Sequence, residues 1–209
     1  MARLRKAGRL WCTAAREAAA CVMVDCKASY FTVDPISLFR RAAPLEIELG
    51  AGRGDFIIAR ASAMPQRNFL AIELAAAVAW FATVRAEPVR LDNLRVLRMD
   101  ARPLVNLFLA DASVAAYHIY FPDPWPKARH SKHRLFTKCF AANLVRTLTL
   151  EGSLHVATDV REYAEMIFSM VEAEGLRRTS LEVPGFGQTA FGRKVVAEGR
   201  PVYSASFIK

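Results

Sequence analysis

At 209 residues, 53% of them hydrophobic and 23% charged, the chain is long enough for one sizeable core and short for two full domains. A formal charge of +9 favours a polyanionic partner, either nucleic acid or an anionic membrane. The 4 cysteines (Cys12, Cys21, Cys26, Cys139) include no C-x-x-C pair and no histidine at zinc-finger spacing, and no apolar run approaches the length of a membrane span. A disulfide scaffold, a structural metal site and a transmembrane anchor are therefore not expected.

The N-terminus reads "MARLRKAGRLW", strongly basic, ahead of the apolar "AAACVMV" from Ala18 to Val24. Arg16 and Glu17 sit directly before that run, and Asp25 and Lys27 follow it without a clear cleavage site. A docking helix with a basic arm (Arg3, Arg5, Lys6, Arg9) is the expectation for residues 1–43, rather than a secretion signal.

From Pro44 the pattern sharpens. "LEIEL" (Leu45 to Leu49) alternates and meets "GAGRG", after which "DFIIARASA" carries apolar residues at helical spacing, predicting strand, glycine loop and helix. "NFLAIEL" (Asn68 to Leu74) is a second strand, followed by an alanine-rich helix over Ala75 to Arg85. "NLRVLRMD" (Asn93 to Asp100) is a third, then comes a short helical segment, and "SVAAYHIYF" (Ser113 to Phe121) is a fourth. Arg134 to Thr147 reads as a helix stopped by an "LEG" turn, "SLHVAT" (Ser153 to Thr158) as a fifth strand, and Val160 to Glu174 as a helix ended by Gly175. Strands alternating with helices predict an α/β fold, a mostly parallel sheet covered on both faces. Ligands of such sheets bind at the carboxyl ends of the strands, near the point where strand order reverses.

Those ends carry Glu48, Glu73, Asp100, Asp123 and Asp159. The loop after the first strand is G-x-G-x-G (Gly50, Gly52, Gly54), not the G-x-G-x-x-G of dinucleotide binders, and it lies between Glu48 and Asp55. A pyrophosphate would meet repulsion there, which disfavours a nicotinamide dehydrogenase. A cationic ligand suits the loop, and S-adenosylmethionine offers an ammonium, a sulfonium, ribose hydroxyls and an adenine amine to carboxylates. Glu73 is placed for the ribose hydroxyls and Asp100 for the amine. Each acid alone also suits a helix N-cap, but the ordered set favours the ligand.

"YFPDPWPKARHSKHR" (Tyr120 to Arg134) holds Asp123 between Pro122 and Pro124, which restricts its backbone. The acid-proline-aromatic string is similar to the Asp-Pro-Pro-aromatic loop of nucleic-acid amino-methyltransferases. Trp125 is expected either to pack beneath the loop, the favoured reading, or to line the base pocket. The bases that follow, Lys127, Arg129, His130, Lys132, His133 and Arg134, read as a phosphate grip beside a reactive loop.

"EIELGAGRGDF", "FPDPWPKARHSKHRL", "ATDVREY" and "QTAFGRKVVAEGRPVYSASFIK" together resemble the tRNA (guanine-N(7)-)-methyltransferase family, in order from about Pro44 to the C-terminus. The resemblance implies a Rossmann-like class I methyltransferase over residues 44–209, with a seven-stranded mostly parallel sheet and helices on both faces. It implies S-adenosylmethionine as donor and a guanosine of the tRNA variable loop as acceptor; the accompanying expectation is a cytoplasmic protein, monomer or homodimer, with no metal and no membrane contact. By the same resemblance Glu48, Gly50, Gly52, Glu73, Asp100 and Asp123 hold the donor, and Asp123 is also the active-site residue. Lys127, Asp159 and Thr189 match substrate positions, and Arg129 to Arg134 match the RNA-contact segment. Where the family tail reads Thr-x-Phe-Glu, this chain has Gly192 after Phe191. The expectation is that Asp159 then carries most of the guanine reading and that Gly192→Glu would sharpen it. A methyltransferase of another RNA or nucleic-acid base, and a non-catalytic RNA-binding module, remain as alternatives.

Overall fold

Strand β2 (Leu45–Leu49) is buried along its whole length, so its side chains divide between two packed faces and none meets water. Leu45, Ile47 and Leu49 enter one apolar layer, whereas Glu46 and Glu48 alternate onto the opposite face. The computed structural model describes residues 23–24, 33–125 and 133–209.

Around β2 the chain builds β1 (Met23–Val24), α1 (Pro35–Phe39), α2 (Asp55–Ala63), β3 (Asn68–Glu73), α3 (Ala76–Ala86), β4 (Leu94–Arg98) and β5 (Val114–Tyr120). It continues through α4 (Lys138–Thr147), β6 (Leu148–Thr158), α5 (Arg161–Ala173), β7 (Arg177–Thr179), α6 (Ala190–Ala197) and β8 (Tyr203–Ile208). One sheet of 8 strands runs in the order β1-β4-β3-β2-β5-β6-β8-β7. All its neighbouring pairs are parallel except those that β8 makes with β6 and β7. Strand order reverses between β2 and β5, which makes the carboxyl ends of these two strands the switch point.

Phe56, Ile57 and Ala61 of α2 and Ala79, Ala82 and Ala86 of α3 cover one face with Phe69 and Ala71 of β3. The small alanines let α3 lie close to the sheet. The other face is covered by α4 and α5 through Phe140, Leu144, Ile167 and Val171, packed on Ile47, Leu70 and Ile119. Burial of such a layer is the dominant favourable contribution to folding, at about 25 cal/mol per Å² of apolar surface.

Several expectations shift. Met23–Val24 is a strand rather than part of a docking helix, pairing in parallel with Val96 and Leu97 on what would otherwise be an open sheet edge. It adds an eighth strand to the seven expected, β2 to β8. Further along the N-terminal stretch, Val33 and Phe39 are buried in the main core. The helix expected from Arg134 begins at Lys138, because the Thr137 side chain accepts from the Phe140 N–H and caps it. The "LEG" segment does not end an element but bulges out of β6: pairing with β5 jumps from Val114↔Leu148 to Ala116↔Ser153, with Glu151 at φ 64°.

Candidate active site

The carboxyl ends of β2 and β3 are locked together by the glycine loop. Gly50 (φ 80°) and Gly52 (φ 56°) occupy left-handed conformations in which a side chain would be strained. The Gly50 N–H donates to the Ile72 carbonyl at 2.9 Å, and the Gly52 N–H donates to Glu73 Oε2 at 3.0 Å. Glu73 Oε1 also accepts from the Ala75 N–H at 2.8 Å, which fixes the carboxylate on both oxygens while leaving lone pairs for a ligand.

Two adjoining clefts open over this loop. The first, about 320 Å³, is lined by Gly50, Glu73, Asp100, Arg102 and Trp125 among others. The second, about 350 Å³, is lined by Glu48, Gly52, Asp159, Thr189 and Phe191. Asp123, with Gly50 and Phe121, belongs to the walls of both.

Asp100 caps the turn Ala101–Pro103 and accepts from Arg102 three times: from the N–H at 3.0 Å, from Nε at 3.2 Å and from Nη2 at 2.7 Å. These Arg102 contacts hold its pKa below the usual value. A carboxylate has about four acceptor sites, so one remains for an amine. Glu48 is 1% exposed and its Oε2 has no hydrogen-bond partner. Burial pushes its pKa well above the ordinary range, against a backbone hydrogen bond from Ile57. A buried carboxyl with an orphaned oxygen at the edge of a cleft is a fit for a ligand ammonium. With Glu73 and Asp100 nearby, the donor set matches the polar groups of S-adenosylmethionine.

The Asp123 loop is bracketed by strain. Phe121 (φ 50°) and Trp125 (φ 40°) both stand in the left-handed region, at a cost on the order of 1–3 kcal/mol each. Two tethers offset it. The Phe121 N–H donates to the Ala157 carbonyl at 2.7 Å, and Arg134 donates from Nε to the Pro124 carbonyl at 2.8 Å and from Nη2 to the Trp125 carbonyl at 3.3 Å. Arg134 also lies over the Tyr163 ring at 5.5 Å. Its guanidinium thus serves the loop backbone, a use the basic run alone does not reveal. Trp125 is 37% exposed and lines the first cleft beside His133, their rings 5.1 Å apart, rather than packing beneath the loop. Lys127, Arg129, His130 and Lys132 lie outside the described residues.

On the far wall Asp159 Oδ2 accepts from Arg200 Nη1 at 2.6 Å. The Thr189 hydroxyl is committed at both ends: it donates to the Phe186 carbonyl and accepts from the Gly192 N–H, each at 2.9 Å, and so caps α6. A Cβ at Gly192 would stand 2.1 Å from the Phe186 carbonyl oxygen. The backbone here admits no side chain, which overturns the expectation that Gly192→Glu would sharpen guanine reading.

Periodicity and spacing single out neither Phe191 nor Arg200: Phe191 is marked only by its place in the Thr-x-Phe-Glu resemblance, and Arg200 only by lying in the same tail. The buried polar stripe under β2 and β5 was equally hidden. Glu46 accepts from Arg60 and Arg67 and lies 2.8 Å from His118 Nε2; His118 Nδ1 lies 3.0 Å from the Tyr120 hydroxyl, which donates to the Pro184 carbonyl at 2.6 Å. Burial opposes the charge on Glu46, yet His118 and Arg60 outweigh it and bring the pKa down to about 2. The only sequence signal was the parity of two glutamates and a histidine in otherwise apolar strands.

Strand order, glycine loop and acid-lined clefts define an S-adenosylmethionine-dependent class I methyltransferase. A family model described as "Putative methyltransferase" matches residues 42–205. The 16S rRNA methyltransferase KamB superposes with a TM-score of 0.64 at 16% identity, over 89% of this chain and 97% of that one. A SAM dependent methyltransferase from Aquifex aeolicus does so at 0.54 and 15%, over 84% and 89%. Such likeness shows the fold alone. At the sequence level, the tRNA (guanine-N(7)-)-methyltransferase of Syntrophotalea carbinolica is 34% identical over 195 residues, 87% of this chain and 84% of that protein. That of Halorhodospira halophila is 36% identical over 178 residues, 82% and 77% of the two chains. The chain belongs to the tRNA (guanine-N(7)-)-methyltransferase family. Among the described residues no helix is long and apolar enough to cross a membrane, and no group of three or more His, Cys, Asp or Glu is placed to hold a metal ion.

Proposed function

We propose that the protein methylates N(7) of a guanosine in the tRNA variable loop, forming 7-methylguanosine in the cytoplasm. The observation that carries this reading is Asp123, held by a strained loop on the wall common to an acid-lined cleft and to a cleft edged by Asp159, Thr189 and Phe191. S-adenosylmethionine, when bound, supplies an electrophilic methyl group on a sulfonium. Glu48 would hold its ammonium, Glu73 its ribose hydroxyls and Asp100 its adenine amine.

Guanine N(7) already has a lone pair, so this chain needs no strong general base. Methylation leaves the purine ring cationic, and Asp123 stands where a fixed carboxylate offsets growing positive charge. The Phe121 N–H and Arg134 hydrogen bonds hold the backbone on either side of Asp123, which favours a fixed carboxylate in the reacting complex. Across the cleft Asp159 offers an acceptor to the imino and two-amino hydrogens of guanine, and the half-exposed Phe191 offers a ring face. In this reading Lys127, Arg129, His130, Lys132 and His133 meet tRNA phosphates.

The test is transfer of labelled methyl to bulk tRNA lacking 7-methylguanosine, followed by nucleoside analysis. Label in 7-methylguanosine supports the proposal, with the variable-loop position mapped by reductive cleavage. Label in another nucleoside, or no transfer despite donor binding, overturns it.

A further inference from the structure

The acceptor cleft has a device behind its wall. Arg200 does not line the cleft, yet it touches two residues that do. Its Nη1 lies 2.6 Å from Asp159 Oδ2, and its guanidinium carbon sits 5.5 Å from the centre of the Phe191 ring. A third contact, Nε to Glu198 Oε2 at 2.9 Å, joins it to a second carboxylate. Asp159 comes from the end of β6 and Phe191 from α6, so Arg200 is the group that ties these two separately delivered side chains together.

The need for such a tie follows from Gly192. The backbone there excludes any side chain and the Thr189 hydroxyl is engaged in capping; of the carboxylates that line this cleft, Glu48, Asp55, Asp123 and Asp159, Asp159 is the one that Arg200 holds. A single carboxylate reads a purine only if its plane is held. Arginine does this better than lysine because its planar guanidinium fixes direction as well as charge, and it stacks on an aromatic face. Arg200 uses one acceptor site of Oδ2, and the carboxylate has further acceptor sites to offer a ligand. Glu198 also meets Lys194 Nζ at 3.8 Å, so Asp159, Glu198, Lys194 and Arg200 balance and the cluster presents no net positive charge to a purine that becomes cationic on methylation.

We propose that Arg200 is the positioning residue of the acceptor cleft: it orients the Asp159 carboxylate and backs the Phe191 ring so that the two together select guanine. The inference rests on the function proposed above and extends it to base selection.

The experiment compares the full-length chain with Arg200→Ala, Arg200→Lys, Asp159→Asn and the double substitution, on tRNAs bearing guanosine or inosine at the target site. Arg200→Ala is expected to lower kcat/KM for tRNA by about 10- to 100-fold, the size of effect that misplaced reacting groups produce, with KM for S-adenosylmethionine changed by no more than about twofold. The guanosine-to-inosine preference should fall to that of Asp159→Asn, Arg200→Lys should restore only part of it, and the double substitution should be no worse than Asp159→Asn. Thermal melting checks that each variant is folded, and Arg200→Lys carries the test if Arg200→Ala is not. Unchanged base preference in Arg200→Lys and Arg200→Ala, or losses that add in the double substitution, would overturn the role of Arg200 alone. Failure of the unsubstituted protein to form 7-methylguanosine would instead overturn the proposed function, and this inference with it.

Discussion

The two clefts are built by different means. The donor side takes Glu48, Glu73 and Asp100 from the ends of three neighbouring parallel strands, each placed by its own strand-to-helix turn and anchored by backbone hydrogen bonds such as Gly52 N–H to Glu73. The acceptor side takes Asp159 from just past β6, Thr189 from the N-cap of α6, Phe191 from α6 itself, and Arg200 from the turn before the antiparallel β8, with Arg200 contacting Asp159 and Phe191 through its side chain. Backbone placement makes the donor side a property of the fold. Side-chain placement makes the acceptor side depend on which distant residues meet, Arg200 with Asp159 and Phe191. Asp123 stands between the two.

The sharpest way to break the comparison is to cut that common wall. Asp123→Ala is expected to lower kcat by about 10²- to 10³-fold, the loss typical of one preorganised electrostatic group, with binding of donor and tRNA changed far less. A loss confined to affinity in single-turnover experiments would make Asp123 a binding residue of one cleft.

On the donor side, Glu73→Ala should weaken S-adenosylmethionine binding by about 1.5 to 3 kcal/mol, the range for hydrogen bonds to charged groups, while tRNA affinity holds. Calorimetry decides, and an equal loss of tRNA affinity would show that the two sides are not independent.

Glu48 adds a pH signature. Burial raises its pKa, so the native state keeps a proton that the unfolded chain loses above the ordinary value of 4.5. Its contribution to stability is complete below that value and declines as pH rises toward the folded pKa. Donor binding runs the other way: an ammonium favours the carboxylate, so a proton leaves on binding and affinity grows with pH. Glu48→Gln should therefore raise Tm at pH 8 by about 2–4 °C, equivalent to roughly 1 kcal/mol in a domain of this size, and abolish proton release seen by calorimetry in two buffers. Persisting proton release would assign it elsewhere.

The smallest expected effect separates two kinds of base within one run. Arg129→Ala should flatten the salt dependence of tRNA binding by about 0.9 in logarithmic slope, one phosphate contact. Arg134→Ala should leave the slope alone and lower thermal stability, because its donors serve the Pro124 and Trp125 carbonyls. Equal slope changes would return Arg134 to the phosphate grip.

The legible parts of the molecule are those set by neighbours in sequence. Alternation and helical spacing located β2 to β6 and the helices between them, and strand-end position singled out Glu48, Glu73, Asp100 and Asp123, because a strand followed by a turn and a helix places its last residues locally. The two-residue β1 was missed since pairing with an open edge leaves no periodic trace. β7 is only 3 residues long, and β8 takes its place by pairing antiparallel with β6 and β7 and by burying Ala205 and Phe207 in the core.

Partners far apart in the chain were decided only on folding. Arg134 reads as one more base in a basic run until the Asp123 loop folds against it, and Gly192 reads as a replaceable position until the Phe186 carbonyl closes on it. Asp159 and Arg200, 41 residues apart, meet because β8 returns antiparallel beside β6. Charge, propensity and spacing act over a few residues and are written in their order; hydrogen-bond direction and steric exclusion depend on which distant groups arrive within 3 Å or so, and that is a property of the packed chain.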